Sequence, residues 1–136
     1  MSVDLPALLD EIGLKAKNAS AILNTATSDQ KNQFFDFAID AIHRDTDAIL
    51  AANQIDIKAA EDSNKDEAFI DRLTLDNVRL QGICDALNEI KSFKDPVGKV
   101  LASWNRPNGL NISRVATPLG VIGLIFESRP NVAADA

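Results

Sequence analysis

Three polar residues, Ser128, Arg129 and Asn131, follow the apolar run 119–126 near the end of this 136-residue chain. An arginine guanidinium stays charged, and its planar fork fits the oxygens of a carboxylate or a phosphate. Serine and asparagine can cap a following helix or donate hydrogen bonds to the same anion. The pattern therefore predicts either an anion-binding or reaction-site loop, or a structural ion pair made by Arg129.

The apolar run before this loop has the composition of a strand buried on both faces, because it is unbroken and does not alternate with polar residues. A loop that leads from such a strand into a helix, here from about residue 132, is where open α/β sheets bind ligands. Gly120 and Gly123 do not have the spacing of the dinucleotide fingerprint. We expect these glycines to allow close packing of a neighbouring element.

Two other residue types with catalytic potential have simpler structural explanations. Cys84 lies on an apolar face at helical spacing, which is typical of a small buried hydrophobic residue and not of an activated thiolate. His43 is the single histidine, so no metal site of histidines and cysteines is expected, and we predict a partly exposed helix residue. Since the chain has one cysteine, an internal disulfide is excluded.

Composition limits the function classes. The net charge of −6 argues against a nucleic-acid-binding protein. The longest apolar run is shorter than the roughly 18 residues that a membrane span needs, and the acidic start at residues 1–4 is unlike a signal peptide. A cytoplasmic protein is expected, with no nucleic-acid or membrane partner. From residue 97 onward basic residues outnumber acidic ones, which weakly indicates an anionic ligand.

Residues 1–94 have apolar residues at helical spacing, which predicts an N-terminal helical layer. Residues 27–30 form a candidate capping box, with Thr27 as N-cap and Gln30 at N3. Residues 45–47, and then Thr74 or Asp76, offer N-caps for later helices. The residues expected to face the core are Phe34, Phe37, Ala38 and Ala41 in the second helix, Ala48, Ala51, Ala52 and Ile55 in the third, and Leu80, Ile83, Cys84 and Leu87 in the last.

Residues 95–136 have a β-type pattern. Segments 100–104 and 110–115 flank Asn108-Gly109, which predicts a hairpin, and Pro107 favours a loop longer than two residues. The buried strand and a helix start follow. The predicted fold class is a mostly α-helical chain with a C-terminal β-hairpin and one buried strand, as at the opening of an α/β domain.

Four segments of the chain carry a resemblance to one enzyme family, in the expected order. The segments are LAANQIDIKAAE (50–61), DRLTLD (71–76), DPVGKV (95–100) and PLGVIGLIFESRPN (118–131). On these residues the chain resembles the N-terminal part of the gamma-glutamyl phosphate reductases (glutamate-5-semialdehyde dehydrogenases), within the aldehyde dehydrogenase superfamily. The ESRPN motif at 127–131 is specific, because ordinary aldehyde dehydrogenases have a turn with tryptophan and asparagine there.

The resemblance implies an oxidoreductase of proline biosynthesis that reduces L-glutamyl 5-phosphate with NADPH to L-glutamate 5-semialdehyde and phosphate. In that reaction a cysteine thiolate displaces phosphate to form a thioester, which hydride then reduces. The family's cysteine lies beyond Ala136 and Cys84 does not match it, so this chain alone is expected to be inactive. The parent enzyme would be an α/β homo-oligomer, and residues 95–136 would open its NADP-binding domain.

By position in the family's motif, Ser128, Arg129 and Asn131 are expected to hold the substrate's phosphate, its carboxylate or the developing oxyanion. Phe126 and Glu127 are expected near the nicotinamide of the cofactor. Two alternatives remain open: a helical interaction module without catalytic activity, and a reductase of another acyl-phosphate or acyl-CoA branch. We also expect the chain alone to self-associate, to exchange strands or to have a disordered tail after about Ser92, because an unpaired apolar strand would be exposed.

Overall fold

A computed structural model of the chain describes residues 4–135. This part of the chain is mostly helical and contains one antiparallel hairpin, which confirms these two elements of the predicted fold class. The elements are α1 (Leu5–Leu23), α2 (Ser28–Arg44), α3 (Thr46–Asp62), α4 (Glu67–Leu73), α5 (Asn77–Ser92), β1 (Val100–Asn105), β2 (Asn111–Val115) and α6 (Val132–Asp135).

The described residues divide into two compact units. The first contains residues 4–28 and 94–123, and therefore α1 and the hairpin; the second contains residues 29–93 and 124–135. In the first unit, the carboxylate of Asp4 accepts a hydrogen bond from the backbone N–H of Ala7 at 3.3 Å, which caps α1. No residue of α1 is buried within the described part of the chain.

The hairpin has the predicted position and the predicted long loop. Trp104 pairs with Ile112 and Asn105 with Asn111, and a bulge interrupts the register between Val100 and Ala102. The loop between the strands is closed by a hydrogen bond of 2.8 Å from Arg106 N to Leu110 O. Gly109 has a φ of +85°, a backbone conformation that favours glycine, so this residue allows the chain to reverse.

The second unit contains the hydrophobic core. On α5 the predicted face is confirmed. On α2 the predicted face is wrong in part. Ala38 packs against the core as predicted, but Phe34 and Phe37 are exposed. Ile39 is buried instead, with Phe35 and Ile42 beside it. The sequence of α2 permits either face, and packing against α5 selects the second. The buried cluster consists of Ile39, Leu75, Leu80, Ile83, Cys84 and Leu87.

The predicted face of α3 is also wrong. Ile55 is 72% exposed, and Ala48, Ala51 and Ala52 are exposed as well. The buried side of α3 carries Asn53 and Ala60. Asn53 explains the difference. Its side chain forms hydrogen bonds with the backbone of Leu73 and Leu75 at the end of α4, so the face of α3 that carries Asn53 is the buried one.

The N-caps of α3 and α5 lie at predicted positions, but only one of them forms the predicted side-chain bond. Asp76 caps α5, and its Oδ1 accepts from Arg79 N at 2.7 Å. Asp45 occupies the N-cap position of α3 without a side-chain cap bond, because its Oδ2 accepts from Arg44 Nη2 at 2.7 Å instead. This hydrogen bond from the Arg44 guanidinium lowers the pKa of Asp45 below its usual range.

The buried strand predicted for residues 119–126 is not present in the structure. These residues have no strand assignment and all are exposed, Leu119 to 89% and Ile125 completely. A strand needs a neighbour that accepts and donates its backbone hydrogen bonds, and the sheet of the described residues contains only β1 and β2. A Cβ at Gly120 or Gly123 would meet nothing within 4 Å, so the predicted close packing is not observed either.

Candidate functional site

The loop at residues 127–131 has a defined backbone. Ser128 adopts a φ of +52°, which is uncommon for a residue other than glycine. The carbonyl of Arg129 accepts from Val132 N at 3.1 Å, and that of Asn131 accepts from Ala134 N at 2.9 Å. The loop thus turns directly into α6, as the sequence predicts.

The side chain of Asn131 spans the short helix α6. Its Nδ2 donates a hydrogen bond of 2.7 Å to Oδ2 of Asp135. The asparagine amide is therefore fixed, and it is half-buried. Because the bond uses one of the two N–H groups of Nδ2, the other remains able to donate to a ligand.

A cleft of about 460 Å³ lies within the second unit, between the α4–α5 region and the 129–135 segment. The apolar part of its lining includes Leu75, Ile83 and Pro130. The charged and polar residues that line it are Asp71, Arg72, Thr74, Arg79, Arg129, Asn131 and Asp135. Three arginines and two aspartates give this lining a net charge of +1, although the whole chain carries −6.

Arg79 fixes the segment between α4 and α5 from its exposed side. Its Nη2 donates to Asp71 Oδ1 at 2.6 Å, and its Nη1 donates to the carbonyl of Thr74 at 2.8 Å and to that of Asp71. The positive charge of Arg79 is thus balanced by Asp71. This arginine holds the cleft wall in place and is not a free cation.

Asn53 fixes the same segment from the buried side. Its Nδ2 donates to the carbonyl of Leu73 at 2.8 Å, and its Oδ1 accepts from Leu75 N at 2.7 Å. Because the side chain is 4% exposed, water does not compete with these bonds. The three residues 73–75 are consequently held between a buried amide and a surface guanidinium.

Arg129 lines the cleft and is exposed. Its guanidinium has no hydrogen-bond or ion-pair partner among residues 4–135. The structural ion pair that the sequence left open as an alternative is therefore not formed within this range. An unpaired guanidinium at a cleft is free to bind an anion.

The other predicted site residues lie outside the cleft. Ser128 precedes Arg129 and is half-buried, but it does not line the cleft. Phe126 and Glu127 are exposed and also do not line it. The structure thus places Arg129 and Asn131 in one cleft and leaves the other three outside its lining.

Sequence reasoning missed Arg72, Asp71 and Arg79 as residues of the site. All three belong to a helical stretch, where charged residues usually indicate a solvated face. The signal that could have identified Asp71 and Arg72 is the DRLTLD segment (71–76), which the resemblance singled out without assigning a role. Arg79 lies outside this segment.

The predicted burial of Cys84 and the predicted exposure of His43 are confirmed. Cys84 is completely buried, and this burial, followed by the charge of Asp85, raises the pKa of its thiol. The thiol is therefore kept protonated, the opposite of an activated nucleophile. His43 is exposed on α2, and the described part of the chain contains no group of three metal-ligating side chains.

The chain has similar relatives among known proteins, although no protein-family model matches it. A gamma-glutamyl phosphate reductase of Brucella suis biovar 1 is 50% identical over 136 residues, which is 100% of this chain and 32% of that protein. One of Allorhizobium ampelinum is 52% identical over 132 residues, or 97% and 31% of the two chains.

The chain matches the N-terminal portion of gamma-glutamyl phosphate reductase. The crystal structure of this reductase from Thermotoga maritima superposes with a TM-score of 0.89 at 38% identity, covering 93% of this chain and 30% of that one. The reductase of Saccharomyces cerevisiae gives 0.87 at 30% identity, covering 92% and 32%. The chain thus spans about a third of the length of the curated reductases it matches.

The structure shows no helix within residues 4–135 that is both long and apolar enough to cross a membrane.

Proposed function

We propose that this chain is the N-terminal portion of a cytoplasmic, homo-oligomeric gamma-glutamyl phosphate reductase. The enzyme would reduce L-glutamyl 5-phosphate with a nicotinamide cofactor, NADPH, to L-glutamate 5-semialdehyde and phosphate in proline biosynthesis. The observation that carries this proposal is the 50% identity to such a reductase over the whole chain. Because the chain spans about a third of those relatives, the activity is assigned to the longer protein.

The cleft supports a role in substrate binding. L-glutamyl 5-phosphate has a phosphate and an α-carboxylate, and both are oxyanions that an arginine fork binds well. Arg129 lacks a partner among the described residues, and Asn131 has a fixed amide with an N–H group to spare. We assign both to one oxyanion of the substrate or to the developing oxyanion, with Ser128 beside them.

The nucleophile must come from another residue than Cys84. An acyl-phosphate reductase that forms a thioester needs an accessible thiolate. Cys84 is completely buried and the pKa of its thiol is raised by that burial. In our proposal the reactive cysteine is supplied by the remainder of the reductase.

The role of Phe126 and Glu127 toward the cofactor is a limited one in our proposal. Phe126 and Glu127 are exposed and line no cleft within the described range, and the glycine fingerprint is absent from the sequence. Our proposal gives these two residues only a contact at the edge of the cofactor. Residues 95–136 would then open the cofactor domain after a helical layer of residues 1–94.

The reverse reaction of the full-length protein tests the proposal. L-glutamate 5-semialdehyde and NADP⁺ are mixed with either inorganic phosphate or coenzyme A, and NADPH formation is followed by absorbance. We expect reduction of NADP⁺ that requires phosphate. Reduction that requires coenzyme A would place the protein in another reductase branch, and no reduction with either would favour the interaction module.

A further inference from the structure

A second unpaired arginine lies in the same cleft as Arg129. Arg72 belongs to the last turn of α4, is exposed and lines the cleft. Like Arg129, it has no hydrogen-bond or ion-pair partner in the part of the chain that the structure describes. The third arginine of the cleft, Arg79, already pairs with Asp71.

Arg72 and Arg129 are two cations of one cleft lining, and neither pairs with a carboxylate of residues 4–135. The carboxylates of the lining make other contacts: Asp71 is bonded to Arg79, and Asp135 accepts from Asn131 at 2.7 Å. The lining keeps a net charge of +1, and a bound anion would give both guanidinium groups a partner of opposite charge.

The backbone that carries Arg72 is unusually well fixed. Asp66 caps α4 and accepts from Phe69 N at 2.7 Å, and the hydroxyl of Thr74 donates to Ile70 O at 2.7 Å. Asn53 and Arg79 hold residues 73–75 from the two sides, as described above. Folding therefore fixes this backbone before an anion binds, and binding has to order only the side chains of Arg72 and Arg129.

We propose that Arg72 and Arg129 together bind one oxyanion of the reductase substrate, with Arg79 and Asp71 as positioning residues for Arg72. This inference rests on the proposed function and deepens it. The oxyanion is either the transferred phosphate or the α-carboxylate, which present the same chemistry to an arginine fork. Binding of the 2′-phosphate of NADP⁺ by these two arginines would contradict this inference.

The test uses Arg72→Gln in the full-length reductase, assayed in the reverse direction with phosphate, semialdehyde and NADP⁺ varied in turn. Loss of a charge-assisted hydrogen bond is expected to raise one KM about tenfold or more. An increase confined to the KM for phosphate identifies the phosphate, and an increase confined to the KM for semialdehyde identifies the carboxylate. Arg72→Lys, which keeps the charge but not the fork, should give a smaller increase.

The matched control is Arg106→Gln. Arg106 lies in the loop between β1 and β2, is exposed, and its side chain has no partner among residues 4–135. It does not line the cleft. All three KM values of this variant should stay within about twofold of the wild type, as expected for a surface change.

Two results would overturn the inference while the proposed function stands. One is a folded and active Arg72→Gln enzyme with all three KM values unchanged; the other is an increase confined to the KM for NADP⁺. If Arg72→Gln does not fold, the three KM values of Arg72→Lys are compared with those of the wild type in the same way. A wild-type protein without phosphate-dependent activity would instead reject the proposed function and this inference with it.

Discussion

The side-chain oxygen of Asn53 accepts a hydrogen bond of 2.7 Å from the backbone N–H of Leu75, 22 residues later in the chain. The amide nitrogen of the same side chain donates to the carbonyl of Leu73 at 2.8 Å. One buried asparagine on α3 therefore determines the path of the chain from α4 to α5. This path forms one wall of the cleft that Arg129 lines.

Asn53→Ala should strongly destabilise the protein. It removes both bonds and leaves the N–H of Leu75 and the carbonyl of Leu73 without partners in a buried place. A loss of about 2 to 3 kcal/mol in the free energy of unfolding is expected. Urea denaturation measures it, with Gln54→Ala, an exposed neighbour on α3, as the control that should change little. Equal stability of the two variants would show that the amide is not needed.

Asp76→Ala should cost more stability than Asp45→Ala. Both aspartates occupy N-cap positions, but only Asp76 accepts a backbone hydrogen bond there. Loss of that cap is expected to lower the free energy of unfolding by about 1 kcal/mol. Thermal unfolding followed by circular dichroism compares the two variants. A greater loss for Asp45→Ala would mean that its pair with Arg44 matters more than the cap.

The thiol of Cys84 should resist alkylation in the folded protein. Burial raises its pKa relative to the unfolded chain, so its contribution to stability is present at neutral pH and is lost as the pH rises through the raised value. With iodoacetamide at neutral pH, labelling should therefore follow unfolding in urea, and it should begin at lower urea in alkaline buffer. Rapid labelling of the native protein at neutral pH would contradict the buried position.

Ile125→Lys should reduce self-association of the 136-residue chain. The side chain is completely exposed within an apolar run that has no hydrogen-bonded neighbour. Contiguous exposed apolar surface promotes association, and a charge within it opposes association. Sedimentation velocity over a range of concentrations measures the effect. Val78→Lys, a change at a single exposed apolar residue on α5, should leave the distribution as in the wild type.

The sequence predicted elements well where a local signal was unambiguous. Leu80, Ile83, Cys84 and Leu87 lie on one face of α5, and all four are buried. In α2 the phenylalanines at 34 and 35 allowed two faces, and only packing against α5 decides that Phe35 and Ile39 face the core. Spacing alone cannot make that choice, because it contains no information about the partner.

The residues of the cleft were predicted only in part, again because the sequence pattern does not show which segments pack together. Arg129 and Asn131 stand out because they follow an apolar run, whereas Arg72 resembles any charged residue of a surface helix. Arg72 and Arg129 come together only because residues far apart in sequence pack within one unit. The apolar run 119–126 was predicted to be a buried strand, yet a strand forms only where another strand pairs with it.

The kinetics of Arg129→Ala in the full-length reductase test the central claim most directly. Arg114→Ala, at an exposed arginine of β2 outside the cleft, is the control. If Arg129 binds an oxyanion of the substrate, the Arg129→Ala enzyme should have a KM for the acyl phosphate that is higher by about tenfold or more, or a kcat that is lower by the same factor. Unchanged KM and kcat in a folded Arg129→Ala enzyme would contradict the assignment of the cleft to substrate binding.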